Sequence, residues 1–169
     1  MKKIFILALF FAFAVQLGFS QFFFGGGLNT NVGMFEPSPS VYAEVGYRFP
    51  HRFISVGMIG KYWGLPSTFG VGVFSEAILF AFGRRSSFVA GTSFTYLHRF
   101  YFEWSHEDDE YGTALLIGLP LTWEVSVGRS ERTALLFRIE PMLIVGAGNR
   151  KSSADFGLKV QPLGLRVFL

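Results

Sequence analysis

The chain has 169 residues, of which 50% are hydrophobic and 18% aromatic, but only 16% are charged. This apolar content and the net charge of +3 exclude a disordered chain, and the length allows one domain. A sequence without cysteine has no disulfides or thiolate metal sites, and the near balance of 15 basic and 12 acidic residues argues against a nucleic-acid partner.

The first twenty residues have the pattern of a secretory signal peptide. Lys2 and Lys3 precede the apolar run 4–15, and Gly18 and Ser20 are small residues at the −3 and −1 positions of a cleavage site. The run is too short to span a membrane as a helix, and no later stretch reaches about 18 consecutive apolar residues. We therefore expect a cleaved signal peptide at 1–20 and a secreted domain at 21–169, with an uncleaved anchor as the alternative.

Beyond residue 20, apolar residues recur with period two, which is typical of β-strands. Every odd-numbered residue from 115 to 127 is apolar, whereas the even-numbered neighbours include Gly118, Thr122 and Glu124. The same alternation covers 88–104 and 135–147. Clusters of proline and glycine separate eight predicted strands, at 22–35, 41–49, 53–63, 69–82, 87–104, 112–127, 132–147 and 155–169.

The apolar faces of these strands predict a surface that contacts lipid. Most strands have the ten or so residues that a tilted membrane strand needs, and their polar faces are too sparse for a surface in water. Aromatic residues near the strand ends suggest two girdles: Tyr62, Trp63, Phe69, Trp104 and Tyr111 at one end, and Phe22, Phe24, Tyr47, Phe49, Phe82, Phe88 and Trp123 at the other. We predict an all-β fold, an eight-stranded antiparallel up-and-down transmembrane β-barrel. A soluble secreted β-barrel binding protein is an alternative.

With the apolar faces outward, five acidic and six basic residues point into the predicted barrel. They are Glu44, Arg48, Lys61, Glu76, Arg99, Glu103, Glu124, Arg138, Glu140, Lys159 and Arg166. The interior of an eight-stranded barrel is just wide enough for side chains to fill, so we expect these charges to pair with one another. The alternative is a narrow polar pore or proton path, with water beside the inward glycines Gly25, Gly27, Gly57, Gly72, Gly91 and Gly118.

Strand parity also predicts local pairing. Inward residues are even-numbered on the sixth and seventh strands, which places Arg138 near Thr122 and within diagonal reach of Glu124. In the last strand the apolar residues change parity between Val160 and Leu163. A β-bulge near Pro162 would reconcile the two halves of that strand.

We expect neither catalysis nor a cofactor. Ser93 and His98 have opposite parity and therefore face opposite sides of their strand, which prevents a nucleophile–base pair. The acidic segment 106–110, His-Glu-Asp-Asp-Glu, is interpreted as a solvated outer loop, with binding of a divalent cation as the alternative.

The segment Ile117-Gly-Leu-Pro-Leu-Thr-Trp-Glu124, followed after a short turn by a strand that ends in an Ala/Gly-rich stretch, resembles a known family. This is the small outer-membrane-protein β-barrel family of Gram-negative bacteria, common in Bacteroidetes and often labelled "porin family". The resemblance covers the mature chain, although the last residues, Val167-Phe168-Leu169, differ from the aromatic residue that often ends such barrels.

The resemblance implies a place in the outer membrane, contact with its lipids and insertion by the barrel assembly machinery. An even number of strands returns both ends of the chain to the periplasmic side. We expect a monomer with a structural or adhesive role at the cell envelope. A narrow pore, or a transport barrel that binds a solute or a lipid, is the alternative function.

Overall fold

The strands close into one antiparallel β-barrel of eight strands, as the sequence predicts. The computed structural model describes residues 21–33, 39–49, 54–63, 68–102, 110–129, 131–147 and 152–169. The predicted signal peptide at 1–20 and the acidic segment 106–110, except Glu110, lie outside these residues. No helix in the described part of the chain is both long and apolar enough to cross a membrane.

The barrel is built from nine strand segments in chain order. They are β1 (Gln21–Gly33), β2 (Pro39–Phe49), β3 (Ile54–Trp63), β4 (Thr68–Phe82), β5 (Ser86–Phe102), β6 (Glu110–Gly118), β7 (Leu121–Val127), β8 (Thr133–Ala147) and β9 (Ser152–Phe168). Neighbouring strands pair antiparallel around the barrel, and β1 pairs with both β2 and β9, which closes it. Within the described residues, closure leaves no edge strand.

Segments β6 and β7 together occupy one strand position, because both pair with β5 on one side and with β8 on the other. The break between them is the dipeptide Leu119-Pro120, where proline has no N–H to donate. The flanking hydrogen bonds persist: Gly91 N donates to Pro120 O at 3.0 Å, and Leu119 N donates to Pro141 O at 2.9 Å. The single strand predicted at 112–127 is therefore present, with a local irregularity at its proline.

The alternation of faces follows the predicted parity along β5. Phe94 and Tyr96 are exposed on the outside, whereas Ser93, Thr95 and Leu97 are buried inside. Alternate residues of β5 therefore face opposite sides of the barrel wall, as the period-two pattern predicts.

Trp63 is an exception to the predicted aromatic girdle. Its side chain is buried, with 6% exposure, and packs inside the barrel among Leu97 and Ile144. Trp63 has the same parity as the inward Lys61, and parity outweighs the tendency of aromatic residues near strand ends to face lipid. Its neighbour Tyr62 is exposed, as the girdle prediction requires.

The predicted bulge near Pro162 is confirmed. Leu28 pairs with Leu163, but two residues further along β1, Thr30 pairs with Val160, so β9 holds one extra residue there. A matching shift occurs on the side of β9 that pairs with β8. The extra residue changes the parity of β9, so Lys159 before it and Arg166 after it both point inward.

Deletion of Pro162 should prevent correct folding, because a one-residue slip turns one half of β9 inside out. Either Lys159 or Arg166 would then face outward. We expect loss of the compact, heat-modifiable band on an unboiled gel. Pro162→Ala keeps the residue count and should retain that band; a folded deletion variant would contradict the role given to the bulge.

Candidate functional site

Nine of the eleven predicted interior charges are described with their side chains, and all nine lie inside the barrel. Glu44, Lys61, Glu76, Glu124, Arg138, Glu140, Lys159 and Arg166 are buried, and the side chain of Arg48 is 13% exposed. Arg99 lies at a register shift in β5, between His98 and Phe100, and its side chain is outside the described part. Glu103 is also outside the described residues.

Arg166 on β9 is the centre of this interior charge network. Its Nη2 lies 2.7 Å from Glu44 Oε1 and 3.1 Å from Glu76 Oε2, and its Nη1 lies 3.3 Å from Glu124 Oε2. The side chain is fully buried, so ion pairs with these carboxylates replace the hydration that the guanidinium loses. One cation thereby joins acids from β2, β4 and β7.

Arg138 on β8 bridges two of the same acids. Its Nη2 donates to Glu76 Oε1 at 2.6 Å, and its Nη1 lies 3.5 Å from Glu44 Oε2. It also lies opposite Thr122, as predicted, and its Nε donates to Thr122 Oγ1 at 2.9 Å. The expected pairing with Glu124 is not among its ion pairs in the described residues, because the long side chain reaches across the interior instead of along its own hairpin.

Glu124 pairs with Arg48 on β2 instead. Both terminal nitrogens of Arg48 donate to Glu124, each at 2.7 Å, in the bidentate geometry that guanidinium and carboxylate favour. Its Nε donates to Ser55 Oγ at 3.0 Å, and its guanidinium lies 4.7 Å from the centre of the Phe168 ring. Three arginines and three glutamates thus form one cluster with balanced charge.

Aromatic rings complete the surroundings of the cluster. The Arg166 guanidinium lies 4.3 Å from the centre of the Phe23 ring and 6.0 Å from that of Phe74. Phe23 in turn contacts Phe168, with ring centres 5.7 Å apart. These rings attract the guanidinium through cation–π interactions and keep water away from the ion pairs. Sequence parity places Phe23 inward, but the stacking requires the closed barrel.

A second, smaller group lies on β3, β5, β8 and β9. Lys159 forms an ion pair with Glu140, and Ser93 Oγ donates a hydrogen bond to the same carboxylate. Lys61 Nζ donates to Thr95 Oγ1 at 3.1 Å. Sequence reasoning named the charges here but missed the hydroxyls, although the inward parity of Ser93 and Thr95 was a usable signal.

The inward glycines make room for these side chains. A Cβ at Gly118 would meet Glu140 Oε1 and Ser93 Oγ, and one at Gly25 would lie 2.7 Å from Glu44 Oε1. The other four inward glycines likewise have neighbouring atoms where a side chain would begin: Gly27, Gly57, Gly72 and Gly91. Side chains and backbone therefore occupy the space directly beside these inward glycines.

Apolar clusters lie beside the charges. One contains Phe23, Tyr42, Ile59, Phe74, Ala134, Leu136 and Phe168. The other contains Trp63, Leu97, Ala114, Leu116, Met142 and Ile144. Burial of these side chains in a barrel of this size means that the described interior is packed.

A few buried polar groups have no hydrogen-bond partner among the described residues. They include the side-chain amides of Asn29 and Gln161, the hydroxyls of Ser40 and Tyr42, and Glu44 Oε2, which lies 3.5 Å from Arg138 Nη1. An unmatched buried polar group costs free energy, so these groups offset part of the stabilisation that the interior ion pairs contribute.

The described residues contain no group of three or more metal-ligating side chains. Ser93 lies inside and His98 outside, as their parity predicts, so they do not form a nucleophile–base pair. The arrangement provides a buried set of ion pairs that joins strands distant in sequence, together with Lys61, whose Nζ donates to the hydroxyl of Thr95.

Replacing Arg166 with methionine should lower the free energy of unfolding by on the order of 3–5 kcal/mol, because three buried carboxylates lose a cation. Adding Glu44→Gln should recover part of this loss, since it removes one unpaired acid. Reversible urea unfolding of the folded barrel measures both. Arg85→Met, an exposed control, should stay within about 0.5 kcal/mol of the parent. A neutral Arg166→Met would contradict the pairing.

The chain matches no protein-family model, no curated protein and no solved structure. The resemblance of the segment 117–124 to the small outer-membrane barrel family therefore stays a prediction.

Proposed function

We propose that this protein is an outer-membrane β-barrel with a filled, non-conducting interior and a structural or adhesive role at the cell envelope. The observation that carries the proposal is the reversal of the usual polarity: charges are inside and large apolar side chains are outside. In water, a barrel would place these faces the other way round.

The exposed apolar side chains extend around the whole barrel. Every strand position contributes at least two of them, including Phe24, Val45, Met58, Val73 and Tyr96 among many others. Soluble monomers rarely expose apolar patches larger than a few hundred Å². A hydrocarbon environment accounts for such a surface, which favours a membrane barrel over a soluble secreted binding protein.

The packed interior favours a non-conducting barrel over a pore or transport barrel. The arginine–glutamate cluster is buried between aromatic rings, and inward glycines are covered by neighbouring atoms. Moving an ion or solute through this interior would require breaking several buried ion pairs at once.

The location in the outer membrane rests on the signal-peptide pattern at 1–20 and on the family resemblance. In this proposal the exterior contacts outer-membrane lipids, the barrel assembly machinery inserts the chain, and the barrel works as a monomer without an enzymatic activity or a cofactor.

Cell fractionation combined with gel mobility tests the proposal. The protein should begin near Gln21, co-fractionate with the outer membrane, and migrate faster unboiled than boiled because the closed barrel survives in detergent. In planar bilayers it should give no single-channel steps. Recovery in buffer without detergent would contradict the membrane proposal, and regular conductance steps would favour the pore.

Leu119→Arg should lower the free energy of unfolding in lipid vesicles by roughly 2–4 kcal/mol if this position faces the middle of the bilayer. Leu119 is more than half exposed on the outer face, at the break between β6 and β7. Leu119→Ala should cost less, because lipid chains fill the vacated space. An arginine tolerated without loss would mean that this face does not touch lipid.

A further inference from the structure

Four arginines lie close together at one end of the barrel, and we call them the arginine rim. They are Arg84, Arg85, Arg129 and Arg132, and all are exposed. They belong to the β4–β5 and β7–β8 turns, at the end where β1 begins and β9 ends. Among the described residues of these two turns, 83–85, 128–129 and 131–132, Glu131 is the one acid.

Direct contacts hold the two turns side by side. Ser126 N donates to Arg85 O at 2.7 Å, and Arg85 Nε lies 3.6 Å from Glu131 Oε1. Phe168 N donates to Arg132 O at 2.7 Å, which anchors the second turn to the end of β9. The two turns therefore lie next to each other, and both present exposed arginines at this end of the barrel.

An exposed apolar belt adjoins the rim on the outer wall. Phe80 and Phe82 are 62% and 65% exposed, and Phe82 is separated from Arg84 by Gly83, whose φ of 69° belongs to the turn. Trp123, also exposed, donates from Nε1 to Ser86 Oγ at 2.6 Å, which fixes its ring next to the turn. Aromatic residues in this setting lie at the boundary between hydrocarbon and headgroups.

We propose that the arginine rim binds the headgroups of anionic phospholipids. Guanidinium groups bind phosphate oxygens with two hydrogen bonds, and the apolar belt holds the acyl chains of the same lipid. The belt is what favours a lipid over a soluble polyanion, which would use the arginines but leave the aromatic rings in water. This inference rests on the proposed function, since it requires the barrel to be in a membrane.

The test compares two brominated lipids with identical acyl chains, phosphatidylglycerol and phosphatidylcholine, in vesicles that hold the folded barrel. The chain has three tryptophans, so the measurement uses a Trp63→Phe, Trp104→Phe background, the parent for the variants below, in which Trp123 is the remaining tryptophan. Quenching of its fluorescence then reports how often each lipid occupies the sites near Trp123. Phosphatidylglycerol should quench more strongly in the parent. The preference for phosphatidylglycerol over phosphatidylcholine should fall on the order of fivefold for each lipid-contacting arginine that is replaced by glutamine.

Two pairwise variants, R84Q/R85Q and R129Q/R132Q, show whether both turns contribute. Glu131→Gln is the matched control, because it removes a charge of the opposite sign from the same surface and should preserve or increase the preference. In the parent, raising the salt concentration should weaken the preference, since these charges are exposed and screened. The salt series decides the question even if the arginine variants fold poorly.

Equal quenching by the two lipids in the parent, or a preference that survives both pairwise substitutions, would overturn the inference. Heat-modifiable mobility of the same samples separates this failure from that of the proposed function. A barrel that inserts but shows no preference contradicts the lipid site alone, whereas a chain that enters no vesicle contradicts both.

Discussion

Burial of the Arg166 guanidinium controls how the barrel can close. The guanidinium is sealed from solvent and needs carboxylates, and these come from residues 42, 90 and 122 positions away in the sequence. Such partners meet only when the barrel closes, so the ion pairs of Arg166 form in the closed barrel and in its correct register. An open or slipped sheet would leave several of the charges without partners, or place them on the apolar outer face.

Other features of the chain are explained by that requirement. The bulge at Pro162 lets Lys159 and Arg166 lie on the same side of one strand. Gly25 and Gly118 leave the space that Glu44 and Glu140 occupy. The rings of Phe23 and Phe74 shield the central cation and exclude water. Backbone irregularities and small residues therefore appear where large charged side chains need room.

The outer surface of the barrel follows from the same alternation of inward and outward residues along each strand. With the charges inside, the outward residues of each strand position are mostly apolar, and the proposed function places this surface in lipid. Where the strands end, the arginine rim replaces the apolar belt within two residues of Phe82. The proposed lipid contacts of the belt and the rim are thus two parts of one surface.

Period-two alternation and turn length are local properties of the sequence. They were enough to predict the number and positions of the strands, the face on which most residues lie, the pairing of Arg138 with Thr122 and the bulge near Pro162. They did not predict which acid meets which base. Arg138 reaches Glu44 and Glu76 rather than Glu124, because long side chains cross a narrow closed interior and their partners depend on the stagger of all eight strands.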